Sequence, residues 1–167
     1  LLDPDYGDII ITRPVDKREN FIKRCVGIAG DSIQIINGKL YVNGKPGEEF
    51  PQAQRYYLLQ VPDGDYLDKE KLHNFGIDVR EEQNDFGQIK NNLYQLNITN
   101  AEKAKLSLPK GYILTDFYMD HQNDLFPYYN DSTGRTWSGD NYGPLWIPKK
   151  GASIPLTHDN LIRYQRC

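Results

Sequence analysis

Phe21-Ile22-Lys23-Arg24-Cys25-Val26-Gly27-Ile28-Ala29-Gly30-Asp31 leads directly into Ser32 to Val42 (SIQIINGKLYV), and these two runs decide the fold. In the second run, apolar residues alternate on either side of Asn37-Gly38. Both residues of that dipeptide tolerate positive φ, which a two-residue hairpin turn requires. Asn43-Gly44 ends the hairpin and Lys45-Pro46-Gly47 breaks the chain. The first run reads as a strand over Phe21 to Ile28, interrupted by one Lys-Arg pair, with Gly30-Asp31 as a turn. Upstream, Tyr6 to Arg13 (YGDIIITR) is an almost continuous apolar run, expected to be a strand buried on both faces. Residues 1–46 are therefore expected to be compact β structure.

Beyond Gly47 the texture changes. Strands are expected at Tyr56 to Val61, Asn92 to Thr99 and Gly111 to Met119. A short helix is expected from about Asp68 to Asn74, with Gly76 as its stop. A second follows Thr99, where Thr99 and Glu102 make a capping box and Pro109 closes the segment. His121 to Lys150 is loop-rich and aromatic, and its rings are expected to pack the loop onto its own sheet. The alternating run from Asn160 to Cys167 reads as a last strand. The fold class is mainly β with a few short helices, and a domain boundary falls near Pro46.

The 167 residues carry 20 basic and 23 acidic side chains, well mixed, so no nucleic-acid partner is expected. No run approaches the roughly 20 apolar residues of a spanning helix. Cys25 and Cys167 form no CxxC or zinc spacing, and Cys25, inside an apolar strand, reads as a buried structural thiol. His73, His121 and His158 share no ligand spacing. Asp116, Asp120, His121 and Asp124 lack the glycine and terminal glutamate of a calcium loop. No metal and no cofactor are expected. Leu1 runs almost at once into a strand and the chain stops inside a patterned run, so both ends read as truncations.

Lys23 is the residue most suited to chemistry. Burial disfavours the charged form of a lysine, and a neutral amine near pH 7 can take a proton from a hydroxyl. The alternative is a lysine that snorkels to the surface or pairs with an acid. Arg24 should point to the opposite face of the strand.

Phe21 to Asp31 resembles the lysine box of type I signal peptidases: an aromatic residue, Ile-Lys-Arg, two small or apolar residues, then Gly-(Leu/Ile)-(Pro/Ala)-Gly-Asp. Tyr6 to Ile11 is similar to the family's Gly-Asp-Ile-Val strand, and Gly38 to Lys45 to its hairpin ending in Asn-Gly-Lys. The resemblance implies a coiled β-sheet protease core carrying an inserted β-rich domain, here residues 1–46 and 47–167. It implies a membrane-anchored serine endopeptidase with a Ser-Lys dyad, whose partners are the signal peptides of exported preproteins. Its place would be the bacterial cytoplasmic membrane, with this part on the periplasmic side. Lys23 would be the general base, expected to be buried without a carboxylate partner. Ile9, Ile10 and Ile11 would pair with substrate, and Arg24, Gly30 and Asp31 would give structural support.

Two departures stand out. The family's nucleophile lies in a Ser-Met-x-Pro motif upstream of the lysine strand, and no serine precedes Lys23 here. The family's later Gly-Asp-Asn-Arg box has only Gly139-Asp140-Asn141-Tyr142 as a match, which reads as coincidental. Asp140 to Gly151 resembles part of the long insertion of Bacteroidetes-type signal peptidases. The chain is thus expected to be inactive by itself. Two other readings are a non-catalytic peptide-binding domain that keeps the protease fold and a self-cleaving repressor-type Ser-Lys protease. The long aromatic insertion argues against the latter.

Overall fold

A computed structural model describes residues 4–12, 18–79, 85–118 and 137–164. In chain order the elements are β1 (Ile9–Thr12), β2 (Phe21–Arg24), β3 (Ser32–Ile36), β4 (Lys39–Val42), β5 (Lys45–Pro46) and β6 (Gln54–Gln60). There follow α1 (Lys69–Asn74), β7 (Phe86–Lys90), β8 (Leu93–Thr99), α2 (Asn100–Lys105), β9 (Ile113–Asp116), β10 (Tyr142–Trp146) and α3 (His158–Tyr164). The structure is β-rich with short helices, as the turn signals and alternating runs predict. Of Asp116, Asp120, His121 and Asp124, weighed above as a cation site and set aside, only Asp116 lies within the described residues. Cys167 and the end of the expected last strand also lie outside them.

Two compact units form, one from residues 1–47 with 119–167 and one from 48–118. The first of these segments ends at Gly47. β10 pairs with β3 and belongs to the unit that holds the lysine strand.

In the first unit, β1 and β2 form a two-stranded antiparallel ribbon, and a separate sheet has the order β10-β3-β4-β5. Asn37 and Gly38, at φ 48° and 69°, make the tight turn between β3 and β4 that the dipeptide foretells. The expectation that β1 is buried on both faces fails. Ile9 and Ile11 are 58% and 74% exposed, because β1 pairs only with β2 among the described residues.

In the second unit the sheet order is β7-β8-β6-β9. Alternate residues of β6 and β8, among them Tyr57, Leu59, Tyr94, Leu96 and Ile98, turn to one face and form the core with Leu72 of α1. Burying each such side chain stabilises the unit by about 1.5–3 kcal/mol. Asp68 caps α1 by accepting from the Lys71 amide, and Thr99 and Glu102 form the reciprocal capping box of α2.

Three elements depart from the sequence reading. The strand expected after Asn160 is a helix: the Thr157 hydroxyl accepts from the Asn160 amide, and Asp159 pairs with Arg163 one turn on at 2.8 Å. β7 goes unforeseen because it is an edge strand that turns little but Phe86 inward, stacked on Tyr94. β10 is hidden by Gly143 and Pro144, which an edge strand with an irregular register accommodates.

Candidate active site

The β1–β2 ladder sets the site. Its register pairs Ile9 with Arg24, Ile10 with Lys23, Ile11 with Ile22 and Thr12 with Phe21. Directly opposed residues of an antiparallel pair share a face. Lys23, Ile10, Thr12 and Phe21 therefore line one face, and Arg24, Ile9, Ile11 and Ile22 the other. The opposed directions of Lys23 and Arg24 follow from strand alternation.

Beyond Arg24 the ladder continues irregularly. The Cys25 amide donates to the Asp8 carbonyl and the Gly7 amide to the Cys25 carbonyl, each at 2.8 Å. The Arg24 guanidinium donates to the Gly7 carbonyl at 2.7 Å, bracing the same crossing. Cys25 is buried and its thiol points at the Gly27 carbonyl, 3.4 Å away.

Lys23 is exposed, contrary to the expectation of burial. No other described strand joins the β1–β2 ribbon to cover its face. Its ammonium lies 5.4 Å from the centre of the Phe21 ring. Among the described residues no carboxylate comes within ion-pairing distance of it. The described serines of the same unit, Ser32, Ser138 and Ser153, make no hydrogen bond to it either.

The turn after the lysine strand is closely held. Gly30 adopts φ +101°, a conformation that costs a residue with a side chain. Asp31 accepts from the Ile28 amide at 3.0 Å and from the Asn43 side chain at 2.8 Å. These bonds, the backbone one foremost, hold its carboxyl below the usual aspartate range. Sequence reading missed the other side of this turn. Gly30 donates to the Ile147 carbonyl at 2.8 Å, Ile147 donates to the Asp31 carbonyl at 2.7 Å, and the Trp146 indole donates to the Gly30 carbonyl at 3.1 Å. The apolar run Leu145-Trp146-Ile147 was the available signal, masked by the neighbouring prolines. The Asn141 side chain accepts from Asn37, and the Asp140 carbonyl from Gly38, so this stretch also packs on the hairpin turn.

Among the described residues no group of acidic, histidine and cysteine side chains could hold a metal ion. No helix of the described residues is long and apolar enough to cross a membrane.

A family model described as signal peptidase, peptidase S26, matches residues 1–115. The chain is 40% identical over 77 residues to "Probable signal peptidase I-2" of Synechocystis sp., covering 40% of this chain and 35% of that protein. It is 46% identical over 44 residues to "Signal peptidase I" of Rickettsia rickettsii, covering 26% of this chain and 16% of that one. It is 34% identical over 75 residues to "Signal peptidase I U" of Bacillus subtilis, covering 36% and 40% respectively. The chain thus spans well under half the length of these relatives. No solved structure matches it.

Proposed function

Because the chain belongs to the signal peptidase, peptidase S26, family, we propose that it is part of a membrane-anchored serine endopeptidase that removes signal peptides from exported preproteins. The observation that carries this reading is Lys23: an amine on a strand next to a substrate-type edge, with no carboxylate beside it among the described residues. In the proposed reaction a serine hydroxyl attacks the scissile carbonyl while Lys23 takes its proton. The same amine then activates the water that releases the acyl group. Hydrogen-bond donors stabilise the oxyanion.

β1 pairs only with β2 among the described residues, which leaves its other edge for an extended peptide. Ile9, Ile10 and Ile11 would supply the backbone groups of that pairing, with side-chain pockets giving specificity. Arg24, Gly30 and Asp31 act in this reading by holding the lysine strand and its turn. Burial is what lets a lysine amine act as a base, so the proposed reaction has Lys23 covered by the serine-bearing segment or by the substrate itself. No serine precedes Lys23 in these residues, and by themselves they are proposed to be inactive. The site is assigned to the periplasmic side of the cytoplasmic membrane, where exported preproteins emerge.

The exposure of Lys23 favours one second reading, a peptide-binding domain that keeps the protease fold without its chemistry. Cleavage of a signal-peptide substrate separates the two. It should be measured for the full-length protein that carries this sequence, for its Lys23→Ala variant and for residues 1–167 alone. Activity in the unsubstituted full-length protein alone supports the peptidase. Undiminished activity in Lys23→Ala removes the dyad, and an inactive but folded full-length protein selects the binding domain.

A further inference from the structure

The dipeptide Trp146-Ile147 lies beyond the residues that the family model matches, yet it holds the path by which the chain leaves the lysine strand. At the near end of that path, Cys25 is tied through both its backbone groups to Asp8 and Gly7. At the far end, three backbone groups of Gly30 and Asp31 are bonded to Trp146 and Ile147. Between them lies Gly27. A Cβ built there would come within 2.6 Å of Ile147 Cδ1 and 2.7 Å of Ile33 Cγ2, so the Ile147 side chain fills the space that a glycine leaves. Trp146 is braced in turn, since its carbonyl accepts from the Tyr164 hydroxyl at 2.9 Å and it stands opposite Ser32 in the β10–β3 ladder.

Resting on the peptidase reading, we infer that Trp146 and Ile147 are positioning residues for Lys23, acting through Gly27 and the Gly30-Asp31 turn. The strand that carries Lys23 is four residues long in a two-stranded ribbon, and such a ribbon has little rigidity of its own. Its exit path is anchored to the neighbouring sheet by this dipeptide. Loosening the anchor shifts the amine relative to the hydroxyl it must deprotonate, which slows the chemical step and leaves peptide binding on the β1 edge intact.

The test uses the full-length protein, with Lys23→Ala as reference. Trp146→Phe removes the indole donor and keeps the aromatic ring. It should lower kcat roughly fivefold with KM within about twofold, the scale of one neutral hydrogen bond, and lower the thermal midpoint by only a few degrees. Gly27→Ala should lower kcat further. Adding Ile147→Ala to it should restore part of the loss by vacating the space the new methyl group needs. An unchanged kcat in Trp146→Phe, a rise in KM that matches the loss, or a double variant no better than Gly27→Ala would each overturn the inference. A fully active Lys23→Ala overturns Lys23 as the base, and the inference with it, whereas an inactive but folded unsubstituted protein overturns the peptidase reading. An inactive Lys23→Ala beside a normal Trp146→Phe overturns the inference alone.

Discussion

Ile10 stands directly across the β1–β2 ladder from Lys23 and shares its face, whereas Ile11 stands across from Ile22 on the other. Opposed side chains in such a ladder have Cβ atoms about 4.5–5.5 Å apart. An aspartate at position 10 would therefore pair with the ammonium and hold it charged. Ile10→Asp should reduce signal-peptide cleavage by the full-length protein at least about a hundredfold, and Ile11→Asp by less than about fivefold. Equal losses in a steady-state cleavage assay would refute the facing.

Asp65 ties together the loop before α1. It accepts from the Lys71 ammonium at 2.7 Å, from the Tyr112 hydroxyl and from the Tyr66 amide. These bonds, that to Lys71 foremost, lower its carboxyl from 3.8 to about 2. A depressed folded value means that the stabilisation is complete above the unfolded value and is lost as pH falls through the folded one. The thermal midpoint should fall between about pH 4 and pH 2, and Asp65→Asn should flatten that dependence. The side chain keeps 33% of its surface in solvent, so added salt should also reduce it.

The capping box of α2 is a local, separable contribution. The Thr99 hydroxyl accepts from the Glu102 amide at 3.1 Å, and the Glu102 carboxylate accepts from the Thr99 amide at 2.7 Å. Thr99→Val should cost about 1 kcal/mol in urea unfolding. Glu102→Gln, which keeps an acceptor, should cost less.

Two glycines with similar backbone angles should respond differently to alanine. Gly143 has φ +86° and its added Cβ would meet the Ile33 carbonyl oxygen at 2.7 Å, whereas Gly64 has φ +84° and open space around it. Gly64→Ala should cost about 1–2 kcal/mol from the left-handed conformation alone. Gly143→Ala should cost roughly 1–2 kcal/mol more, because backbone rather than a flexible side chain must give way. Chemical denaturation of both variants reads the difference directly.

What could be read from sequence follows the range of the forces involved. The Asn37-Gly38 turn, the Thr99 cap and the Gly76 stop are decided within a few residues, and each appears where expected. The lysine strand was recognisable because its neighbours carry a family pattern. Lys23's exposure was not, since burial depends on which other strands cover the ribbon. β10 was likewise out of reach: its partner β3 lies more than a hundred residues earlier, and its own glycine and proline argue against a strand. Helix α3 had a local signal in Thr157, outweighed in sequence reading by the alternation of Leu161 and Arg163 with their neighbours.

The thiol of Cys25 lies two residues beyond Lys23, 7% exposed and outside any disulfide. A buried thiol reacts when the structure around it opens, and the backbone of Cys25 is bonded to Asp8 and Gly7 at the crossing of β1 and β2, so the rate of its modification is a clock for opening there. The protein thus carries its own chemical reporter beside the proposed base. A substrate peptide that closed over the lysine strand would slow this clock whether or not it was ever cut, and binding could be timed apart from cleavage.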